Sequence, residues 1–320
     1  MARLLDSVLG HSEIIQRFLQ SFSSGRLAHT FLLVGPAGVG RKTVALALAQ
    51  AILCEQSSSA CGVCGSCLRV AKLNSTGTEG LLLIEPEKNM IKIDQAHQVL
   101  EFLNLRALGK NRVVILDRAE TLNSQAGNSL LKVLEEPPAG TYLFMIAPSP
   151  EHVLPTLRSR AQVVAFRPLS ISEMQKKLSA PEWALRASQG SFERLAQLLE
   201  KDELQLRESA LLWLEDWTQD PLAYLKSANK DLVRGRDNAL SLALHLSWLL
   251  RDALYLKLGS PEKILNSDKL PQLQKISDKL PSERLFNACE KALWIEQNLN
   301  KNFDPALLFE QFWIETRPDQ

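Results

Sequence analysis

The 320-residue chain reads as an α/β domain over residues 1–169 followed by an all-helical half. Three observations predict this. Short apolar runs alternate with helical patterns up to Phe166, a glycine-rich loop joins the first run to a helix, and after Pro168 the runs give way to helical spacing. Runs of four or five residues suit buried strands, and strands alternating with helices favour right-handed crossovers and a mostly parallel sheet.

Taken in order, the predicted strands are Phe31–Val34, Leu81–Ile84, Arg112–Leu116, Tyr142–Ile146 and Gln162–Phe166. Thr43–Leu53, Ile93–Leu103 and Ser124–Glu136 lie between them, with the length and apolar spacing of helices. The last of these stops at Pro137-Pro138, since proline cannot continue a helix interior. Beyond Pro168 helices are expected at Ser172–Leu178, Glu182–Ser188, Phe192–Lys201, Glu203–Thr218, Leu240–Leu258, Ser282–Leu299 and Pro305–Ile314. Gly259-Ser-Pro261 and the Lys/Asp-rich Asn266–Lys279 read as loops or short turns. Trp213, Trp217, Trp248, Trp294 and Trp313 all fall in this half and are expected to pack its core.

Composition narrows the function classes. With 45% hydrophobic and 23% charged residues the chain is neither disordered nor fibrous, and its length suits two or three domains. No apolar run reaches the roughly 18–20 residues of a membrane span. Asp6, His11 and Glu13 stand where a secretory signal needs apolar residues, so a cytoplasmic protein without membrane contact is expected. Residues 1–170 carry 17 Lys/Arg against 13 Asp/Glu, and residues 171–320 carry 20 against 23. Neither half is basic enough for a freestanding DNA binder, so any nucleic-acid role is local or shared with partners.

Gly35-Pro-Ala-Gly38-Val-Gly40-Arg41-Lys42-Thr43 follows a strand and opens a helix, where a phosphate loop belongs. The full pattern requires Lys and then Ser/Thr after the last glycine. Here those places hold Arg41 and Lys42, and Thr43 arrives one residue late to ligate Mg²⁺. The cradle survives while the metal-holding hydroxyl does not; a plain glycine turn that binds nothing is the other reading. Val113–Asp117 is an apolar strand ending in a carboxylate, as in the second element of an ATPase. Its next residue is Arg118, and a guanidinium cannot serve as a general base. Glu120, two residues further, is expected to face elsewhere. Intrinsic ATP hydrolysis is therefore not expected.

Cys54, Cys61, Cys64 and Cys67 give C-x6-C-x2-C-x2-C. Thiols clustered this closely in an intracellular chain point to a structural Zn²⁺ with four ligands and no open position. An iron–sulfur cluster or free redox thiols are the alternatives, but the Cys-Pro that closes a common iron–sulfur run is missing. Cys289 reads as packing.

These motifs resemble the bacterial clamp-loader subunits of the AAA+ class. The cysteine module just after the phosphate-loop helix carries the likeness. So do Gly109–Asp117, the Ala126–Pro138 stretch with its Leu-Leu-Lys and Glu-Glu-Pro-Pro, Leu154–Arg160, and Asn300–Glu310. The resemblance implies an AAA+ domain over residues 1–169 with an inserted zinc module (54–67), a helical lid over 170–208, and a helical collar for oligomerisation over 209–320. It implies Zn²⁺ on Cys54, Cys61, Cys64 and Cys67. Gly35, Gly38, Gly40, Arg41, Lys42 and Thr43 would form a degenerate phosphate loop whose binding of ATP is weak or absent. Ser159-Arg160 matches a Ser-Arg-Cys motif whose arginine reaches ATP on a neighbouring subunit, with Ala161 in place of the cysteine. Pro148-Ser149 stands where hydrolysing relatives place a polar sensor.

The implied role is a non-hydrolysing stator in the clamp loader of DNA polymerase III holoenzyme. Its implied partners are the gamma/tau and delta subunits, the sliding clamp, and primed DNA through the assembly. A gamma/tau-type ATPase is the alternative, opposed by Arg41, Lys42 and Arg118. A zinc-containing nucleic-acid module is a third reading, opposed by Glu55–Val70, which has Arg69 as its one cation and no aromatic residue.

Overall fold

The computed structural model describes residues 3–73, 77–104, 110–219, 233, 235–299, 301 and 303–316. Gly109, Asn300 and Asn302 of the motifs above lie outside the described residues. The chain forms two compact units: residues 1–179 with 189–193, and residues 180–188 with 194–320. The segment 170–208 contributes to both.

The first unit is built on six strands: β1 (Thr30–Val34), β2 (Gly77–Thr78), β3 (Leu81–Ile84), β4 (Arg112–Leu116), β5 (Thr141–Ala147) and β6 (Gln162–Ala165). Their order across the sheet is β2-β3-β4-β5-β1-β6. All neighbours are parallel except the two-residue β2, which pairs antiparallel with β3. Helices α1 (Ser12–Ser23), α2 (Arg41–Leu53), α3 (Gly65–Ala71), α4 (Ile93–Asn104), α5 (Ser124–Glu135), α6 (Pro155–Arg158) and α7 (Ile171–Gln175) complete the unit.

Every residue of β1 is buried, as expected of a strand covered on both faces. Phe31 and Leu33 pack with Phe18, Val44, Leu48 and Ile52 of α1 and α2. Leu32 and Val34 belong to the opposite face, with Val99, Leu103, Leu130 and Leu134 of α4 and α5. This alternation puts the sheet between two helical layers and aligns the C-terminal ends of β1, β3, β4 and β5 along one edge, where parallel α/β sheets bind ligands. The last strand departs from expectation. β6 is an edge strand with Val163 45% exposed, since no further strand pairs with its outer side among the described residues.

In the second unit the described residues contain no strand. Its helices are α8 (Glu182–Ala187), α9 (Phe192–Leu198, whose first two residues belong to the first unit), α10 (Lys201–Gln219), α11 (Arg236–Lys257), α12 (Leu270–Lys279), α13 (Ser282–Leu299) and α14 (Pro305–Glu315). Helix α12 corrects the expectation of loops over 266–279. Pro271 sits in its first turn, where its missing N–H is harmless, and Leu273 and Ile276 are fully buried. Three-residue spacing of these apolar groups outweighed the Lys/Asp-rich composition that suggested a loop.

Trp213, Trp217, Trp248 and Trp313 are buried as expected; Trp294 is half-buried against the same core. Trp183 is buried too, under the Arg207 guanidinium 3.9 Å above its ring. Arg207 is itself buried and donates to Asn266 Oδ1 at 2.8 and 3.1 Å and to Asp268 at 2.7 and 3.0 Å. Full pairing is what makes a buried guanidinium tolerable.

Candidate functional site

Gly35–Gly40 leave the end of β1 and deliver the chain into α2, with Gly40 capping the helix at φ +96°. Glycine is required at two points. Gly35 runs so close to the chain that a Cβ would lie 2.5 Å from the Phe166 carbonyl oxygen. At Gly38 (φ +71°) a Cβ would run into Ser191 Oγ and stand 2.9 Å from Glu193 Cβ. The loop therefore has a phosphate-cradle shape, but its groups are already engaged. The Gly35 N–H donates to the Pro148 carbonyl at 3.1 Å, and the Gly38 carbonyl accepts from the Phe192 N–H at 3.0 Å. The Glu193 carboxylate lies against the loop, where its charge opposes a phosphate.

Both loop cations are turned inward. Arg41 Nη1 donates to the Ala147 carbonyl at the end of β5. Lys42 Nζ bridges Glu85, just past β3, and Asp117, just past β4, the latter at 3.1 Å. Burial opposes the Lys42 charge, but hydrogen bonds and attraction from Glu85 and Asp117 outweigh it and raise the lysine above its usual range. Arg41 is lowered by burial, partly offset by the charges of Glu120 and Asp117. Arg118 adopts a left-handed turn (φ +55°) between Asp117 and the short turn that carries Glu120. Arg118 itself is exposed. Thr43 is exposed and borders a pocket of about 60 Å³ with Ser7, Val8, Val39 and Phe192, apart from the carboxylates that hold Lys42.

The four cysteines converge. Their sulfur atoms all lie within 4.8 Å of one another, with Cys54–Cys64 and Cys61–Cys67 at 3.9 Å. A tetrahedral ion with Zn–S near 2.3 Å places sulfurs about 3.8 Å apart. A disulfide needs about 2.05 Å, so these are thiols. Cys54 ends α2, Cys64 caps α3 and Cys67 sits in its first turn.

Backbone amides point at the sulfurs: Cys61 N–H to Cys54 Sγ and Cys64 N–H to Cys61 Sγ, each at 3.3 Å. Burial opposes ionisation of Cys54, but amides of Cys61, Gln56 and Ser57 outweigh it and lower its pKa; those of Val63 and Cys64 do the same for Cys61. Burial pushes Cys67 up. The donor set fits a structural cation that takes thiolates. Gln50, fully buried in α2, braces the module by donating to the Cys67 carbonyl at 2.9 Å and accepting from the Leu4 N–H at 2.8 Å.

Arg160 lies elsewhere. It follows α6 and precedes β6, whose first residue Gln162 pairs with Phe31 and whose last, Ala165, pairs with Val34. Arg160 is thus at the N-terminal edge of the sheet and the phosphate loop at the C-terminal edge, about 13 Å away along the strands at ~3.3 Å per residue. Its Nε donates to Glu135 Oε1 at 2.8 Å, Nη2 donates to the same oxygen, and Nη1 donates to the Thr156 carbonyl at 2.8 Å and Ser159 Oγ at 3.2 Å. Glu135, Glu85, Ser191 and Glu193 were not singled out in the sequence. Only the Glu-Glu-Pro-Pro motif marked one of them, and it carried no role.

Comparison with known proteins matches residues 10–170 to the family described as DNA polymerase III, delta subunit, and residues 209–316 to its C-terminal counterpart. The chain is 30% identical to the DNA polymerase III subunit delta' of Escherichia coli K12 over 84% of its own length and 82% of that protein's. The chain belongs to the DNA polymerase III delta-prime family. The Pseudomonas aeruginosa delta' subunit is 40% identical over 151 residues, 45% of each chain, and the Bacillus subtilis delta' subunit 24% identical over 93% of each. A gamma-subunit-related protein from Thermotoga maritima covers 95% of this chain and 98% of its own at 17% identity, with a TM-score of 0.49. Among the described residues no helix is long and apolar enough to cross a membrane.

Proposed function

We propose that this chain is the non-hydrolysing subunit of a bacterial DNA polymerase III clamp loader, lending Arg160 to ATP held by a neighbouring subunit. The observation that carries this reading is the separation of Arg160 from the chain's own phosphate loop. A guanidinium at one edge of the sheet cannot serve a nucleotide at the other, so its phosphate has to come from another chain. There it would stabilise charge building on the transferred phosphoryl group. The loop supports the same reading, since Lys42 is held by Glu85 and Asp117 and Arg41 by the Ala147 carbonyl. Arg118 offers no base beside Asp117.

In this reading the first unit is an AAA+ domain, residues 170–208 form its lid, and residues 209–320 form a collar that packs on gamma/tau and delta subunits in the cytoplasm. Cys54, Cys61, Cys64 and Cys67 hold Zn²⁺, which supplies a structural cross-link between the end of α2 and the start of α3. With all four positions filled by sulfur, it has no site for a reactant. The assembly sets the sliding clamp on primed DNA, and this subunit contributes rigidity and one arginine.

The test is ATP turnover by the reconstituted loader. Arg160→Ala is expected to slow the site it serves by up to about 10³–10⁵-fold, the range for a trans arginine, while Lys42→Ala leaves turnover near the starting value. Turnover abolished by Lys42→Ala and indifferent to Arg160→Ala would assign the chain to the hydrolysing class instead.

A further inference from the structure

The Arg160 side chain is not free to act as it stands. A guanidinium has five N–H donors, and a phosphoryl group is gripped best by two donors on one edge of the fork. Here the Nε/Nη2 edge is taken by Glu135 Oε1, and both Nη1 hydrogens are directed to the Thr156 carbonyl and Ser159 Oγ. One N–H, on Nη2, is left over, and no edge offers two. The carboxylate also cancels the positive charge that a phosphoryl oxygen would feel.

Glu135 is the last residue of α5, fixed by the two prolines that follow, and Arg160 closes the turn after α6. Each partner is thus held at a defined place on the same edge of the sheet. The pair is also accessible, with Arg160 32% and Glu135 50% exposed, so an incoming phosphate can reach it.

We propose that Glu135 is a positioning residue that latches Arg160 in cis, so that the arginine serves a neighbouring subunit's nucleotide only after exchanging this carboxylate for phosphate. The proposal rests on the trans-arginine reading above. Exposed ion pairs are weak, which suits a latch that must open: its loss corresponds to about a 2–5-fold change in an equilibrium. The latch holds the finger ordered and idle while the assembly lacks its clamp and DNA, and gives way when the neighbour's phosphate competes for the same edge.

The test is steady-state ATP turnover by the reconstituted loader with and without clamp and primed DNA. Glu135→Gln keeps the shape and removes the charge. It is expected to raise turnover without clamp and DNA by about 2–5-fold, in kcat rather than KM, and to narrow the difference made by adding them. Glu135→Asp restores the latch. Arg160→Ala lowers turnover whichever residue stands at 135, so the double variant matches it. Unchanged or lowered turnover in Glu135→Gln, with Arg160→Ala still damaging, would overturn the latch alone. No effect of Arg160→Ala would overturn the arginine's trans role and the latch with it.

Should Glu135→Gln disturb folding, the free chain reports the pair directly. The Arg160 Nε–H resonance, assigned by its loss in Arg160→Lys, is expected to exchange with solvent about 2–5-fold more slowly than that of an unpaired arginine. Exchange as fast as that of an unpaired arginine would overturn the proposal.

Discussion

The phosphate loop and the cysteine module sit at the two ends of α2, and they differ in whether their groups are satisfied within the chain. At the start of the helix, Arg41 and Lys42 have found a carbonyl and two carboxylates, and loop backbone groups are bonded to Pro148 and Phe192. At its end, four sulfurs face one another at 3.9–4.8 Å with amides aimed at them. Both regions keep a ligand-binding outline. One is closed by its own side chains; the other has the donor set for an ion. A motif is therefore better judged by which of its groups remain unpaired than by how much of its pattern survives.

The comparison is broken most severely at the cysteines. Cys67→Ala removes a fully buried thiol and is expected to abolish stoichiometric zinc, measured by mass spectrometry of the metal. Binding of structural zinc is itself folding free energy. A loss of about 3–5 kcal/mol would lower the thermal midpoint by roughly 10 °C in a unit of this size. No zinc in the parent protein, with an unchanged midpoint in Cys67→Ala, would show that the module is only a packed cluster of thiols.

Lys42→Met breaks the other region more gently. The lysine and Glu85 are well exposed, so solvent screens the interaction, and a loss of about 1 kcal/mol is expected. The raised lysine pKa fixes the sign with pH. The stabilisation is present below the ordinary lysine value near 10.4 and fades as pH rises through the higher folded value. The gap between the two proteins' unfolding free energies should therefore be flat near neutrality and close in strong alkali. Asp117→Asn added to Lys42→Met should recover part of the loss by removing the carboxylate left unpaired. A further loss would mean that Asp117 is held by something other than the lysine.

The pattern was legible where chemistry is local in sequence. The cysteine spacing, the misplaced Arg41 and Lys42, and Arg118 after Asp117 are each contained in a few residues, and each could be read directly. What closes the loop was not legible. Glu85 and Glu193 lie 43 and 151 residues beyond Lys42 and are brought there by the parallel order of the sheet and the return of the chain at Gly190. The same limit applies to β6: its apolar run suggested a buried strand, but whether a strand is at the edge depends on sheet order. Helix α12 was hidden by its charged residues, although Leu273 and Ile276 carry the periodicity. Glu135 shows the opposite case, a motif residue visible in sequence whose partner, 25 residues on, only the fold reveals.

The smallest expected effect sharpens the frame around the loop. Glu173 caps α7 and pairs with Arg167 at 2.7 Å, beside the segment that returns to Gly38. The side-chain hydrogen bond from Arg167 is the main cause holding its carboxyl at about 2, against opposing burial. A depressed carboxyl stabilises the fold above the unfolded value near 4.3 and ceases to do so as pH falls through the folded one. Glu173→Gln should cost about 0.5 kcal/mol at neutral pH, because Arg167 stands in solvent, and the difference should shrink between pH 4.3 and 2. A cost that persists at pH 2 would show that the cap matters and the charge does not.

The phosphate loop's cations serve the chain's own groups, the Ala147 carbonyl for Arg41 and the Glu85 and Asp117 carboxylates for Lys42. Titration of a fluorescent ATP analogue with Mg²⁺ into the zinc-loaded chain, with phosphate release followed in the same sample, tests this most directly. The account predicts no saturable binding and no phosphate. Micromolar binding with turnover that Lys42→Met abolishes would contradict it, because Lys42 would then be leaving Glu85 and Asp117 for a phosphate.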